Sequence, residues 1–337
     1  MQKAWRTRGP LACALWPASQ LYGLLIAFRH WLFSRGVLAA QRVGVPVVVV
    51  GNVTVGGGGK TPLVMALVAH FAAQGVQCGV VSRGYGRRGS GCIEVFSDTP
   101  VLESGDEPAL IKRALAAPLF IANDRAEAAR ALLAAYPQTG VLVCDDGLQH
   151  ERLQRTVNVV VFDDSGLGNG WLIPAGPLRQ VWPMGAQSAK GLVLHTGIKP
   201  AFAGFTSIRQ LADAAIAFDG STVSLQSLAK ASPQSSLVAL AGIAHPDAFF
   251  AMLLARGLAL LRTTAMADHA DFSTLDLASL KLPSEAKITV LCTEKDAIKL
   301  FDLPQNPTVR ILAVPLVFTP EPAFFTALDS ALNLDRP

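Results

Sequence analysis

Four glycines followed by a lysine and a threonine are the first residues in this chain whose types and spacing can do chemistry. The apolar run Val45–Val50 breaks into Gly56, Gly57, Gly58 and Gly59, then Lys60-Thr61-Pro62, then a helical pattern. This is the layout of a phosphate-binding loop. Glycines let backbone N–H groups curl around phosphate oxygens, and the following helix N-terminus adds partial positive charge. Lys60 supplies a full charge, and the Thr61 hydroxyl can ligate Mg²⁺. The nucleotide-binding stretch is read as Thr54, Val55, Gly56, Gly57, Gly58, Gly59, Lys60 and Thr61. The common pattern has glycine where this chain has Thr54. The bland alternative is a glycine turn carrying a solvated lysine; the strand–turn–helix context favours the loop.

A second cluster closes the strand Val141–Cys144: Asp145-Asp146-Gly147-Leu148-Gln149-His150. A strand-end aspartate is the usual partner of a phosphate loop, because its carboxylate binds Mg²⁺ directly or through water. Asp145 and Asp146 are therefore candidate metal residues, against the alternative of a plain Asp-Gly turn. Other strand ends carry polar groups too. Arg83-Gly84-Tyr85-Gly86-Arg87-Arg88-Gly89 is a basic loop tipped by an aromatic residue. Asp106 opens a helix, as a cap or as a base near the phosphate loop. Arg125 is an anion ligand or a surface residue, and Arg179 is placed to hold a phosphate. His269, between Asp268 and Asp271, is the histidine best set to be oriented or charged by carboxylates. His195 reads as a strand-end polar residue and His245 as a loop or cap residue.

These groups need elements to hold them. Val45–Val50 reads as a buried strand of a parallel sheet, Thr61–Ala73 as the helix after the loop, and Val76–Ser82, Val141–Cys144, Val157–Phe162 and Gly191–His195 as further strands. Helices are predicted from about Ala109 and from Arg125 to Ala135. Residues 166–179 hold too many Gly and Pro for a regular element and form a shaped loop. Beyond about residue 200, Ser207–Gln210 and Ser221–Ser227 read as short strands of a smaller sheet. A second α/β unit follows, with strands at Leu237–Ile243, Leu258–Arg262 and Ile288–Cys292, and a polar cluster at Thr293-Glu294-Lys295-Asp296. Val309–Pro315 is the last predicted strand, before a helix from Pro322. The fold class is α/β: a P-loop NTPase-type parallel sheet flanked by helices, a smaller C-terminal α/β lobe and an N-terminal membrane-associated helix. The expected division is 1–42, 43–200 and 201–337.

The 337 residues are 51% hydrophobic and 16% charged, which excludes a disordered chain. Five cysteines without a CxxC spacing argue for a reducing compartment and against a zinc site or disulfide framework. The net charge of +4 is unevenly spread, since the first acidic residue is Glu94. A basic N-terminal part points to an anionic partner: nucleic acid, an acidic lipid surface or a phosphorylated substrate. Lys3, Arg6 and Arg8 precede an apolar stretch from Leu11 to Phe28, with Trp5, Trp16, Tyr22 and Trp31 as interface-seeking aromatics. A cleaved signal, a spanning helix, a helix lying in the leaflet and a helix on the protein's own core are the readings; the leaflet helix fits best.

Six motifs occur in order: Gly51-Asn52-Val53-Thr54-Val55-Gly56-Gly57-Gly58-Gly59-Lys60-Thr61-Pro62, Ser82-Arg83-Gly84-Tyr85-Gly86-Arg87, Gly105-Asp106-Glu107-Pro108, Asp145-Asp146-Gly147-Leu148-Gln149-His150, Pro174-Ala175-Gly176-Pro177-Leu178-Arg179 and Thr293-Glu294-Lys295-Asp296. Together they closely resemble the tetraacyldisaccharide 4'-kinase (lipid A 4'-kinase) family of Gram-negative bacteria, and Thr54 suits that family. The resemblance implies ATP and Mg²⁺ as cofactors. It implies transfer of phosphate to the 4'-hydroxyl of a tetraacylated glucosamine disaccharide 1-phosphate, at the cytoplasmic face of the inner membrane. It implies an anionic lipid disaccharide as partner, with no nucleic acid and no obligate protein partner. Carried onto matching positions, Lys60 and Thr61 serve phosphates and metal, and Asp145 and Asp146 serve the metal. Asp106 is the general base with His269 as its partner, and Gln149 and His150 lie beside the transferred phosphate. Arg83, Tyr85, Arg125 and Arg179 contact substrate or phosphates. Two positions depart from the family pattern: Gly58, where Thr or Ser is frequent, and Asp268-His269-Ala270-Asp271, where Asp-His-His is frequent. The competing class is a membrane-associated P-loop ATPase switch acting through a protein partner.

Overall fold

Strand β1 (Val47–Gly51) is buried along its whole length, and the first half of the molecule is layered around it. The computed structural model describes residues 4–56, 58–183, 190–231, 236–268, 270, 272, 288–304 and 308–333. A short 3-10 turn (Ala4–Arg6) leads into α1 (Pro10–Ser34) ahead of β1, and α2 (Lys60–Ala73) follows the phosphate loop. Then come β2 (Cys78–Ser82), β3 (Ile93–Glu94), α3 (Val101–Ser104), α4 (Asp106–Ala114), β4 (Leu119–Ile121), α5 (Arg125–Ala135), β5 (Val141–Cys144), β6 (Val157–Phe162), β7 (Lys190–His195) and β8 (Phe205–Leu211). A second lobe holds β9 (Ala214–Ala217), β10 (Thr222–Ser224), α6 (Leu225–Ala231), β11 (Ser236–Ala241), α7 (Pro246–Ala255), β12 (Leu260–Ala265), β13 (Ile288–Thr293), α8 (Glu294–Leu300) and β14 (Val309–Val314). The chain ends with β15 (Leu316–Pro320) and α9 (Pro322–Leu332).

The large sheet has the order β15-β8-β7-β6-β1-β5-β2-β4-β3. From β8 to β4 every neighbour is parallel; β15 and β3 close the two edges antiparallel. Parallel strands covered on both faces read as unbroken apolar runs, which is why Val47–Val50 shows no alternation in sequence. Its side chains still alternate in space. Val48 and Val50 join Leu63, Leu67 and Phe71 of α2 and Phe324 and Leu328 of α9. Val47 and Val49 join Ala126, Ala129 and Leu132 of α5 on the other face. The second sheet, β10-β9-β14-β13-β11-β12, has a parallel centre covered by α7 on one side and α8 on the other.

Several expectations change. Residues 205–211 belong to the large sheet, not to a smaller one. Residues 221–227 are a three-residue strand and then the start of α6. Val309–Val314 is not the last strand, because Pro315 interrupts it and Leu316–Pro320 crosses back to pair with β8. The helix expected near Ala109 begins at Asp106. Sheet membership therefore divides the chain differently from a cut at residue 200: β8, β15 and α9 sit with the phosphate-loop half, and the second lobe lies between β8 and β15.

Candidate active site

The register of the large sheet brings the two chemical stretches together. Val49 pairs with Cys144, so Asp145 and Asp146 leave β5 beside the point where β1 runs into Gly51-Asn52. Gly51 and Gly147 permit this approach. A Cβ on Gly51 would lie 2.6 Å from Leu148 Cβ, and one on Gly147 would lie 2.4 Å from Cys144 Sγ. Gly59 takes a left-handed conformation (φ 86°) and turns the loop into α2.

Lys60 is nearly buried, and its Nζ is surrounded by oxygens. Asn52 Oδ1 lies at 3.5 Å, the Gly56 carbonyl at 3.4 Å and Asp146 Oδ1 at 3.7 Å. Asn52 also donates to the Gly56 carbonyl at 2.8 Å, which ties the loop down. Arg179 Nη1 reaches Asp146 at 3.2 Å, and Arg125 Nη2 donates to the Asp146 carbonyl at 3.2 Å. Burial works against the Asp146 charge, but Lys60 and Arg179 outweigh it and hold the carboxyl below its usual range. Asp146 itself adopts a left-handed conformation (φ 44°), held by these contacts.

Asp145 behaves in the opposite way. Fully buried, it is pushed up to about 7 by desolvation, then by Glu107 and Asp146. Ser82 Oγ donates to Asp145 Oδ2 at 3.4 Å, whereas Oδ1 is buried without a hydrogen-bond partner. A buried, unsatisfied carboxylate oxygen between further acids is an arrangement that a divalent cation would relieve. Among the described residues no group of three or more His, Cys, Asp or Glu side chains is set to hold a metal by itself. That suits Mg²⁺, which keeps waters and phosphate oxygens and takes only one or two carboxylates from the protein. The residues present fit the ion, with Asp145, Asp146 and Thr61 as the groups to hold it.

Gln149 donates to the Asn52 carbonyl at 3.0 Å and accepts from Arg179 at 3.4 Å, so it belongs to the same network. His150 is one step removed. Its Nε2 lies 3.1 Å from Asp124 Oδ1 and accepts from the Arg125 N–H at 3.2 Å, at the start of α5. Burial and the Arg125 charge lower its pKa, against the pull of Asp124. It reaches the phosphate region through Arg125. The Arg83–Gly86 loop backs onto α4 so closely that a Cβ on Gly105 would lie 2.5 Å from the Tyr85 carbonyl. Tyr85 and Arg83 are exposed on that loop, next to Asp106. Asp106 is almost buried at the first position of α4, and its Oδ2 lies 2.6 Å from Lys299 Nζ. His269 and Gly57 lie outside the described residues.

A family model described as Tetraacyldisaccharide-1-P 4'-kinase (LpxK) matches residues 11–333. The chain belongs to this family. A tetraacyldisaccharide 4'-kinase of Polaromonas naphthalenivorans (strain CJ2) is 61% identical over 331 residues, covering 98% of this chain and 94% of the relative. One from Acidovorax sp. (strain JS42) is 50% identical over 334 residues, with 98% and 94% covered. Among solved structures, the "apo" form of LpxK from Aquifex aeolicus in complex with ATP aligns with a TM-score of 0.77 and 26% identity, covering 96% of this chain and 99% of that one.

Sequence reasoning gave no role to four residues that the geometry adds to this LpxK-family site: Asn52, Ser82 and Glu107, quoted only as parts of motifs, and Lys299. Asn52 and Ser82 are buried polar residues at the ends of β1 and β2, a position that could have marked them. Nothing in the sequence pairs Lys299 with Asp106, since the two lie on different lobes. His195, by contrast, is the last residue of β7, buried beside Phe162 and Phe202 with its Nε2 unpaired. His245 does more than cap a helix, as its Nε2 lies 3.2 Å from Asp163 Oδ2 across the lobes.

Proposed function

We propose that this protein is an ATP- and Mg²⁺-dependent kinase that phosphorylates the 4'-hydroxyl of a tetraacylated glucosamine disaccharide 1-phosphate, the lipid A 4'-kinase reaction. The observation that carries the site reading is the meeting of the loop lysine with the strand-end aspartate, Lys60 Nζ to Asp146 Oδ1 at 3.7 Å. It supports a reading in which phosphate-binding and metal-binding chemistry meet at one point. Bound Mg²⁺ neutralises charge on the phosphates. The loop amides, Lys60 and Arg179 hold the γ-phosphate, and Arg125 braces the Asp146 turn. Asp106 takes the proton of the acceptor hydroxyl as that oxygen bonds to the γ-phosphorus. The bond from phosphorus to the β–γ bridging oxygen breaks, and ADP leaves with its electron pair.

The acceptor is a lipid, and α1 is built to meet one. It is long and apolar enough to cross a bilayer, yet only Ala12 and Ser19 are buried along it. Leu11, Trp16, Leu21, Leu24, Leu25, Phe28 and Trp31 are exposed. The helix is anchored to the site loop. Ser19 Oγ donates to the Leu172 carbonyl at 2.8 Å, and the Tyr22 hydroxyl donates to the carbonyl of Arg179 at 2.9 Å. An apolar face fixed to a phosphate-binding arginine supports membrane docking at the cytoplasmic leaflet of the inner membrane, as a peripheral or monotopic protein.

The test is to incubate the protein with γ-labelled ATP and the lipid disaccharide 1-phosphate and to look for a labelled bis-phosphorylated lipid. Lipid-stimulated ATP hydrolysis without transfer would favour a nucleotide-dependent switch instead.

A further inference from the structure

Asp106 and Ala270 come from different lobes, and one side chain touches both. Lys299, on α8, lies 2.6 Å through its Nζ from Asp106 Oδ2 and donates to the Ala270 carbonyl at 3.1 Å. One helical turn earlier on the same face, Lys295 pairs with Asp268 Oδ1 at 3.0 Å. Two lysines of one helix thus clasp the 268–270 turn, and the second reaches across to α4. Helix α8 is firmly placed for this. Thr293 caps it by accepting from the Asp296 N–H, and Asp296 Oδ2 accepts from the Gly242 N–H at 3.0 Å, pinning α8 to the end of β11. Asp106 is rooted at the start of α4, where Gly105 (φ 87°) admits the close approach of the Tyr85 backbone.

We propose that Lys299 is a positioning residue for phosphoryl transfer: from the second lobe it fixes the Asp106 carboxylate and the 268–270 turn in one register. This rests on the reading of Asp106 as the base. A nearly buried carboxylate without a counter-charge is costly, and an ammonium at 2.6 Å supplies one. The acceptor proton goes to the Asp106 carboxylate as the new O–P bond forms and ADP departs. Lys299 makes no bond to the substrate and exchanges no proton. Because it bridges two lobes, the base is in register only when α4 and α8 are in contact.

The experiment uses the full-length protein with Lys299→Met, Lys299→Arg, Asp106→Asn and the double variant Asp106→Asn/Lys299→Met. Nucleotide affinity and steady-state constants for the lipid acceptor are measured on each. Lys299→Met is expected to lower kcat by about thirtyfold or more while MgATP affinity stays within about twofold, which also shows that the fold is intact. Lys299→Arg should recover a large part of kcat, because a guanidinium can still pair with the carboxylate. In the Asp106→Asn background, Lys299→Met should change the remaining rate less than about threefold, since the two residues act as one unit. A kcat within about twofold of wild type for Lys299→Met, or an equal loss with and without Asp106, overturns the proposal. Should Lys299→Met lose nucleotide binding, Lys299→Arg decides: recovery of a large part of kcat with normal KM for lipid supports the positioning role, and failure of both constants sinks it. Wild-type kcat in Asp106→Asn alone would instead reject Asp106 as base.

Discussion

Asp146 lies between the cations of Lys60 and Arg179, while its neighbour Asp145 is buried with one oxygen unpaired. The adjacent carboxylates shift in opposite directions: Lys60 and Arg179 outweigh burial at Asp146, whereas burial and acidic neighbours raise Asp145. Lys60→Ala should therefore damage both steps, lowering kcat roughly a hundredfold and weakening ATP binding, whereas Asp106→Ala should lower kcat with little change in ATP affinity. Steady-state kinetics with a nucleotide-binding titration separates the two. Within the loop, Gly58 and Gly59 look alike in sequence and differ in space. A Cβ on Gly58 meets nothing closer than 3.6 Å, so Gly58→Ser should be accommodated and should raise stability by about 0.4–1 kcal/mol through the unfolded chain. A Cβ on Gly59 would lie 3.2 Å from Thr196 Cγ2 at a φ of +86°, so Gly59→Ala should lower Tm and ATP affinity together. Thermal unfolding of the two variants side by side checks this. The residue types of the site were legible because phosphate and metal chemistry restricts them to Gly, Lys, Thr and Asp. The room for a Cβ at Gly58 was not, because one of its boundaries is Val161, which is distant in the chain.

At the level of elements, the strands of the large sheet announced themselves, since a strand covered on both faces must be apolar throughout. Short edge strands did not. β8 alternates exposed and half-buried residues, and its neighbour β15 lies more than a hundred residues further on, so local pattern alone assigned it to the wrong sheet. α1 was legible as an apolar helix but not as part of the site, because its anchors are carbonyls of Leu172 and Arg179 in an irregular loop. Those anchors sit on one side of the helix and the exposed leucines on another, so the two roles can be separated. Replacing Leu21, Leu24 and Leu25 with Gln removes apolar contacts worth about 1.5–3 kcal/mol each in a lipid phase. The expected outcome is loss of sedimentation with anionic vesicles and a raised KM for the lipid acceptor, with ATP affinity unchanged. Persistent vesicle binding would assign docking to another surface.

For the whole molecule, two ion pairs among the described residues span the lobes: Lys299 with Asp106, and His245 with Asp163. The second is pH-sensitive. Its hydrogen bond to Asp163 raises the His245 pKa above 6.5, against burial. The Asp163 pKa is lowered below 3.8, because His245 and the Ser165 N–H outweigh burial. The pair is thus fully formed above the unfolded aspartate value and below the unfolded histidine value. Its contribution fades as pH rises through the raised value of His245, and again as pH falls through the depressed value of Asp163. The Tm gap between wild type and His245→Gln should be widest between the ordinary aspartate and histidine ranges and should shrink as pH rises through the raised value of His245. A gap independent of pH would mean that the imidazole acts there by packing alone. The chain enters and leaves the second lobe at one place. Leu211 of β8 and Leu316 of β15 are cross-strand partners, and the Ala212 N–H donates to the Pro315 carbonyl at 2.9 Å. Topologically the second lobe is a graft on a hairpin. Cut at its base and rejoined by a tight turn, the remaining chain would keep every strand of the large sheet and both aspartates beside the phosphate loop, but neither Lys299 nor His269. The residues proposed to capture the nucleotide and the lysine proposed to position the base are thereby carried on separable pieces of one gene.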